Sequence, residues 1–224
     1  MDIQWIFFDV GYTLADETAV WKRRCREQAE LPEAKALGLT PEDIFHEIEE
    51  ASRQYKPQFR AVLEKYHFTQ SAPYRGELET LYPDAVPVLK ALSQKYSLGV
   101  IANQNQGLGK RLEEWGVASY FPVVASSWDV GLWKPDPGLF RYALAQANCA
   151  PEHGLMVGDR LDNDIFPAKA LGMKTLWLRN GFGALQTPKS PEYEPDFTAD
   201  SLKELLLLHQ SGWEPLRFEK YLVQ

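Results

Sequence analysis

Hydrophobic spacing divides the chain into two textures. Residues 3–8 form a short, nearly unbroken apolar run that stops at Asp9 and Gly11, as expected of a strand buried on both faces and opening into a loop. From about residue 17 to residue 66 the chain is rich in Glu, Lys, Arg, Gln and Ala, with apolar positions at helical spacing such as Trp21, Cys25 and Ala29. Within that block Thr40-Pro41-Glu42-Asp43 predicts a helix start: a threonine N-cap, proline at the first position and acidic residues in the first turn. That second long helix is expected to break near Pro57. After Pro83 the rhythm alternates. Helices are predicted near 84–95, 108–115, 137–147 and 163–171, strands at 98–102, 123–125, 154–157 and 175–178, and a last helix over 201–209.

Alternating short apolar strands and helices imply an α/β fold, a Rossmann-like open parallel sheet with right-handed crossovers and helices on both faces. An all-helical insertion interrupts it. The expected division is a core of 1–15 and 83–212, a helical insertion of 16–82, and a tail of 213–224. The proline-rich stretch 187–195 reads as a surface loop.

Composition narrows the function classes. The 224 residues, with 45% hydrophobic and 25% charged, are those of a folding globular protein. A formal net charge of −7 argues against nucleic-acid binding, which rests on clustered Lys and Arg, and favours small substrates. No apolar run approaches a membrane span, so no membrane partner is expected. Met1-Asp2-Ile3-Gln4 lacks the basic region of a signal peptide, and the two cysteines, Cys25 and Cys149, suit a reducing compartment as packing residues. A cytoplasmic location is the expectation. The four histidines are scattered and make no metal-ligand or nucleophile pattern.

In an open parallel sheet the active site lies beyond the carboxyl ends of the strands. Asp9 and Thr13 follow the first strand, Asn103 the second, Lys134 the third, and Gly158-Asp159 with Asp164 the fourth. Carboxylates beside a lysine suit a hard cation and can hold a phosphoryl group between two positive charges. Singly, each of these residues reads as a turn former or cap; in an ordered set they point to chemistry.

These segments resemble the four motifs of the haloacid dehalogenase-like superfamily, in order across essentially the whole chain. They are Phe8-Asp9-Val10-Gly11-Tyr12-Thr13-Leu14, Val100-Ile101-Ala102-Asn103, Lys134-Pro135-Asp136-Pro137, and Val157-Gly158-Asp159-Arg160-Leu161-Asp162-Asn163-Asp164. The resemblance implies that the helical insertion is the family's mobile cap domain. It implies that Asp9 is a nucleophile that forms an aspartyl-phosphate with a phosphorylated small molecule. Mg2+ would be held by Asp9, Asp159, Asp164 and the backbone carbonyl of Gly11. Lys134 would hold Asp9 and offset charge, Asn103 would orient the phosphoryl group or a residue around it, and Thr13 would contact phosphate or cap the next turn.

The pattern breaks at two places. The family's phosphatases carry a second Asp two residues after the nucleophile, as general acid and base, where this chain has Gly11; Ala102 stands where the second motif offers Ser or Thr. Such a general acid contributes about 10²- to 10⁴-fold in rate. Three readings follow: a phosphatase that is slow, recruits another residue such as one from the cap, or takes an activated substrate; a 2-haloacid dehalogenase, which needs no metal; or a non-catalytic binder of a phosphometabolite or partner. The retained charged groups favour the first, and an aspartate returned at position 11 is expected to speed esters with poor leaving groups if it fits.

Of the remaining residues, Trp21, Arg23 and Arg24 read as the mixed face of a packed helix. Arg160 and Asp162 read as solvated or paired with each other. Trp128 and Trp133 flank the approach to Lys134, and one of them, with Trp133 as the substrate-binding candidate, is expected to line the cleft.

Overall fold

The structure, a computed structural model, describes residues 2–213; of the expected tail, 214–224 lie outside the described residues. In chain order the elements are β1 (Trp5–Phe8), β2 (Ala15–Asp16), α1 (Thr18–Ala29), α2 (Pro32–Ala36), α3 (Pro41–Arg53), α4 (Gln58–Lys65), β3 (Thr80–Leu81), α5 (Ala85–Leu92), β4 (Ser97–Ala102) and α6 (Leu108–Glu114). There follow β5 (Val123–Ser126), α7 (Ser127–Val130), α8 (Pro137–Gln146), β6 (Gly154–Gly158), α9 (Phe166–Ala170), β7 (Lys174–Leu178), β8 (Phe197–Ala199) and α10 (Leu202–Gln210).

Six strands form one sheet in the order β5-β4-β1-β6-β7-β8, every neighbouring pair parallel. The apolar run of β1 is continuous because both of its faces are covered. Ile6 and Phe8 join Val100, Val157, Leu89 and Leu205 on one side, while Phe7 joins Ile101, Met156 and Phe140 on the other, all fully buried. From β1 the chain runs to β4 and β5 on one side, then returns to β6 on the other. The carboxyl ends of β1, β4 and β6 therefore flank a topological switch point.

Between β2 and β3 lie the helices α1 to α4, and the antiparallel pairing of Asp16 with Thr80 brings the two ends of that segment together. Thr40 and Asp43 form a reciprocal capping box at the start of α3. The break near Pro57 is present: α3 ends at Arg53, Tyr55 turns into the left-handed region at φ 61°, and α4 starts at Gln58. The helical segment has its own core of Cys25, Ile44, Ile48, Phe59 and Val62, into which the sheet unit inserts Tyr12 and Phe182. Phe182 meets Tyr12 and Trp21 edge-on, and its carbonyl accepts a 2.7 Å hydrogen bond from Ser52 Oγ.

Three features differ from the sequence reading. β8 is a sixth strand, only Phe197–Ala199 long and too short for periodicity to reveal. The helix expected at 163–171 is a wide turn over Leu161–Ile165 followed by the short α9. Trp213, assigned to the tail, is buried against Tyr96 and Phe197. No described helix is long and apolar enough to cross a membrane.

Candidate active site

Asp9 leaves the end of β1 with its backbone N–H still bonded to the Val157 carbonyl, 2.9 Å away, so its position is fixed by the sheet. The next residues wind into a tight loop in which Thr13, Leu14 and Ala15 donate to the Val10 carbonyl. Gly158 ends β6. A Cβ there would lie 2.4 Å from Asp164 Cβ, so only glycine lets the following turn bring Asp164 back against the strand end.

Lys134 reaches this point from the loop after α7. Its Nζ donates to Asp9 Oδ1 at 2.7 Å, to Asp164 Oδ1 at 2.5 Å and to the Ile101 carbonyl at 3.0 Å, with the side chain 2% exposed. The loop is held by Asn103, whose amide accepts from Lys134 N and donates to Lys134 O, both at 2.8 Å. Asn103 thus ties the lysine loop to the end of β4.

Carboxylate oxygens of Asp9, Asp159 and Asp164 lie within 4.8 Å of one another. Three carboxylates face one ammonium, and Asp159, 3% exposed, has no ion pair among the described residues. Burial first, then Asp164 and Asp9, push the Asp159 carboxyl well above the usual range. Burial also raises Asp164, to about 6, although Lys134 works in the opposite direction. Desolvation tends to lower Lys134, yet Asp164 and Asp9 outweigh it and hold the ammonium above its ordinary value. The cluster is short of positive charge and offers oxygen donors alone. A hard divalent cation fits both conditions.

Above the cluster opens a cleft of about 390 Å³ whose walls come from both parts of the chain. The sheet unit contributes Asp9, Gly11, Asn103, Trp133, Lys134, Asp159 and Asp164; the helical segment contributes Glu17, Trp21, Arg24, Gln58 and Tyr74. Thr13 is not among the lining residues. It is fully buried with its Oγ1 unpartnered, so it neither caps the next turn nor faces the cleft. Trp133 lines the cleft while half exposed, and Trp128 does not.

Trp21 packs on Phe59 and Phe182 as the face of a packed helix should and also lines the cleft, as does Arg24, whereas Arg23 pairs with Glu27 at the surface. Arg24 lies 3.5 Å over the Phe59 ring and donates to the Ala72 carbonyl; burial lowers its pKa to about 10, and no carboxylate pairs with it among the described residues. Arg160 and Asp162 do pair, through Nε–Oδ1 at 3.0 Å and Nη2–Oδ2 at 2.5 Å. The pair is mostly buried rather than solvated, and Arg160 also donates to Gln58 Oε1 across the cleft at 2.9 Å.

Sequence reasoning missed Glu17 altogether. It precedes α1, yet Asp16, not Glu17, accepts the bond from the Thr18 amide. The Glu17 carboxyl is turned into the cleft, where Tyr74 Oη lies 2.7 Å from Oε1 and Trp21 Nε1 donates to Oε2 at 2.9 Å. Burial, above the influence of its neighbours, raises its pKa. A single glutamate at a helix start carries no spacing signal that marks such a role.

The model of the family described as haloacid dehalogenase-like hydrolase matches residues 6–178, which span both the cluster and the helical segment. The chain is 28% identical to a glyceraldehyde 3-phosphate phosphatase of Methanopyrus kandleri over 91% of its own length and 96% of that protein's. It is 32% identical to a phosphoserine phosphatase of Thermus thermophilus, over 84% of this chain and 72% of that one. In fold it is similar to the magnesium-bound HAD-hydrolase YfnB of Bacillus subtilis, with a TM-score of 0.68, 24% identity, and coverage of 93% and 99% of the two chains. With the motif residues gathered at one sheet edge and the family model spanning most of the chain, this protein belongs to the haloacid dehalogenase-like hydrolases.

Proposed function

We propose that the protein is a Mg2+-dependent phosphatase of a small phosphorylated metabolite, working through an aspartyl-phosphate on Asp9, with residues 16–82 acting as a cap over the site. The observation that carries this reading is the meeting of Asp9, Lys134, Asp159 and Asp164 at one point. Similarity to proteins named as phosphatases supports it further.

Asp9, Asp159, Asp164 and the Gly11 carbonyl would hold the cation, which when bound neutralises phosphate charge and orients the phosphoryl group. Lys134 holds Asp9 Oδ1, leaving the other carboxylate oxygen to attack phosphorus. The ammonium also stands where negative charge develops in the transition state. Asn103 fixes the lysine loop, so neither group must reorganise during the reaction. The Ser or Thr contact missing at Ala102 is not replaced by Ser127, whose hydroxyl is engaged with the Gln104 backbone. The charged cluster of three carboxylates fits metal-assisted phosphoryl transfer better than metal-free displacement of a halide.

The test is a screen of p-nitrophenyl phosphate, acetyl phosphate, glyceraldehyde 3-phosphate and phosphoserine, with and without Mg2+, on the wild type and Asp9→Asn. Phosphate release that needs Mg2+ and is lost in the variant is expected. Metal-independent halide release from 2-haloacids, or no turnover of any phosphate, would contradict the reading.

A further inference from the structure

Position 11 lacks the acid that the family's phosphatases use, yet the space it would occupy is filled. A Cβ built on Gly11 would lie 2.3 Å from Glu17 Oε1 and 2.6 Å from Glu17 Cδ. A carboxyl group is therefore present at this point of the cleft, two residues beyond Asp9, but it arrives from the start of α1 instead of from the loop itself. Glycine at 11 and glutamate at 17 are two halves of one arrangement, because a side chain at 11 and the Glu17 carboxyl cannot occupy the same volume.

Hydrogen counting places a proton on this group. Tyr74 Oη lies 2.7 Å from Glu17 Oε1 and 2.8 Å from Glu79 Oε1, but a phenol has one hydrogen to give. Both contacts are hydrogen bonds only if one of the two carboxyls is itself a donor. Glu79 has Arg111 Nε 3.2 Å from its Oε2, with its own side chain fully buried. The charge belongs there, and the proton belongs to Glu17.

We propose that Glu17 is the catalytic acid and base of this enzyme, supplying from the helical segment the carboxyl group that position 11 lacks. The proposal rests on the phosphatase reading. In the first half-reaction the Asp9 oxygen forms a bond to phosphorus as the bond to the leaving oxygen breaks, and the Glu17 O–H bond breaks to protonate that oxygen. In the second, the Glu17 carboxylate takes a proton from water while the water oxygen bonds to phosphorus, releasing Asp9 and phosphate and restoring the acid. Trp21 and Tyr74 hold the carboxyl in place between the two steps.

The experiment compares wild type, Glu17→Gln, Glu17→Ala and the double variant Gly11→Asp/Glu17→Ala with Mg2+ on aryl phosphates from phenyl to dinitrophenyl phosphate. Losing a general acid costs about 10²- to 10⁴-fold. Glu17→Gln should lose on that order in kcat/KM on phenyl phosphate and under about 10-fold on dinitrophenyl phosphate, whose leaving group needs no proton. Its phosphorylated Asp9 should accumulate, since hydrolysis of the intermediate needs the base. The double variant, with an aspartate in the vacated space, should recover a shallow leaving-group dependence that Glu17→Ala by itself lacks, and that pair carries the test if Glu17→Gln does not fold. An equal loss across the series, or none, overturns the role of Glu17 and leaves the phosphatase reading intact. A wild type inert to the whole series and to acetyl phosphate overturns that reading and Glu17's role with it.

Discussion

Replacing Lys134 by methionine keeps the length of the side chain and removes its charge. In the wild type the ammonium is 2% exposed and shared between Asp9 at 2.7 Å and Asp164 at 2.5 Å. Methionine would leave the buried Asp164 and the partly exposed Asp9 beside Asp159 without the ammonium. Breaking a buried ion pair by removing one partner costs about 3–5 kcal/mol. For a chain of this size each kcal/mol moves Tm by roughly 2–4 °C, so the variant should melt roughly 6–20 °C lower at neutral pH. The loss should depend on pH in a definite direction. Asp164, raised from 3.8 to about 6, holds its proton more tightly folded than unfolded, so its contribution is fullest below about pH 4 and is lost as pH rises through about 6. Without the ammonium, which works to lower it, the Asp164 carboxyl protonates at still higher pH, which relieves the variant in acid and penalises it in base. Thermal melts of both proteins without added metal, at about pH 5 and about pH 8, should show a gap that widens with pH. A gap below about 1 kcal/mol, or one of the same size at both pH values, would refute the assignment of Lys134 to a charge-deficient cluster.

Mg2+ should raise the wild-type Tm, by about 2.7 kcal/mol equivalent at a hundredfold excess over Kd, and Asp159→Asn should abolish most of that rise in a thermal-shift titration. Arg24→Ala should raise KM for phosphoserine, which carries a carboxylate, more than for p-nitrophenyl phosphate in steady-state kinetics, since this cleft cation has no carboxylate partner among the described residues. Trp133→Ala should change KM while Trp128→Ala does not, because only the first lines the cleft. Phe182→Ala should cost about 3–5 kcal/mol in denaturant unfolding, as it removes an aromatic side chain packed on Tyr12, Trp21 and Phe45.

The parallel sheet was legible because its central strands are buried on both faces, so their apolar runs are unbroken and end abruptly at polar residues. That same rule exposed Asp9, Asn103 and Asp159, which directly follow a strand, and Lys134 and Asp164, which come a few residues later. β8 escaped notice because three residues at a sheet edge carry no period. Glu17, Trp21, Arg24 and Tyr74 were hidden for a different reason. They reach the cleft through the packing of α1 and the segment before β3 against the sheet unit, and helical spacing fixes which residues share a face without fixing what that face meets. Thr13 shows the converse error, a motif position whose side chain is buried away from the cleft. Whether an aspartate at 11 fits turns on Glu17, whose carboxyl end lies in that volume.

The proposed phosphatase chemistry requires Asp9 to bond directly to phosphorus. Rapid acid quench of the enzyme during turnover of acetyl phosphate with Mg2+, followed by peptide mass spectrometry, tests that directly. One phosphoryl group on the peptide holding Asp9, absent without Mg2+, is the predicted result. Phosphate release with the label on another residue, or undiminished in Asp9→Asn, would contradict it.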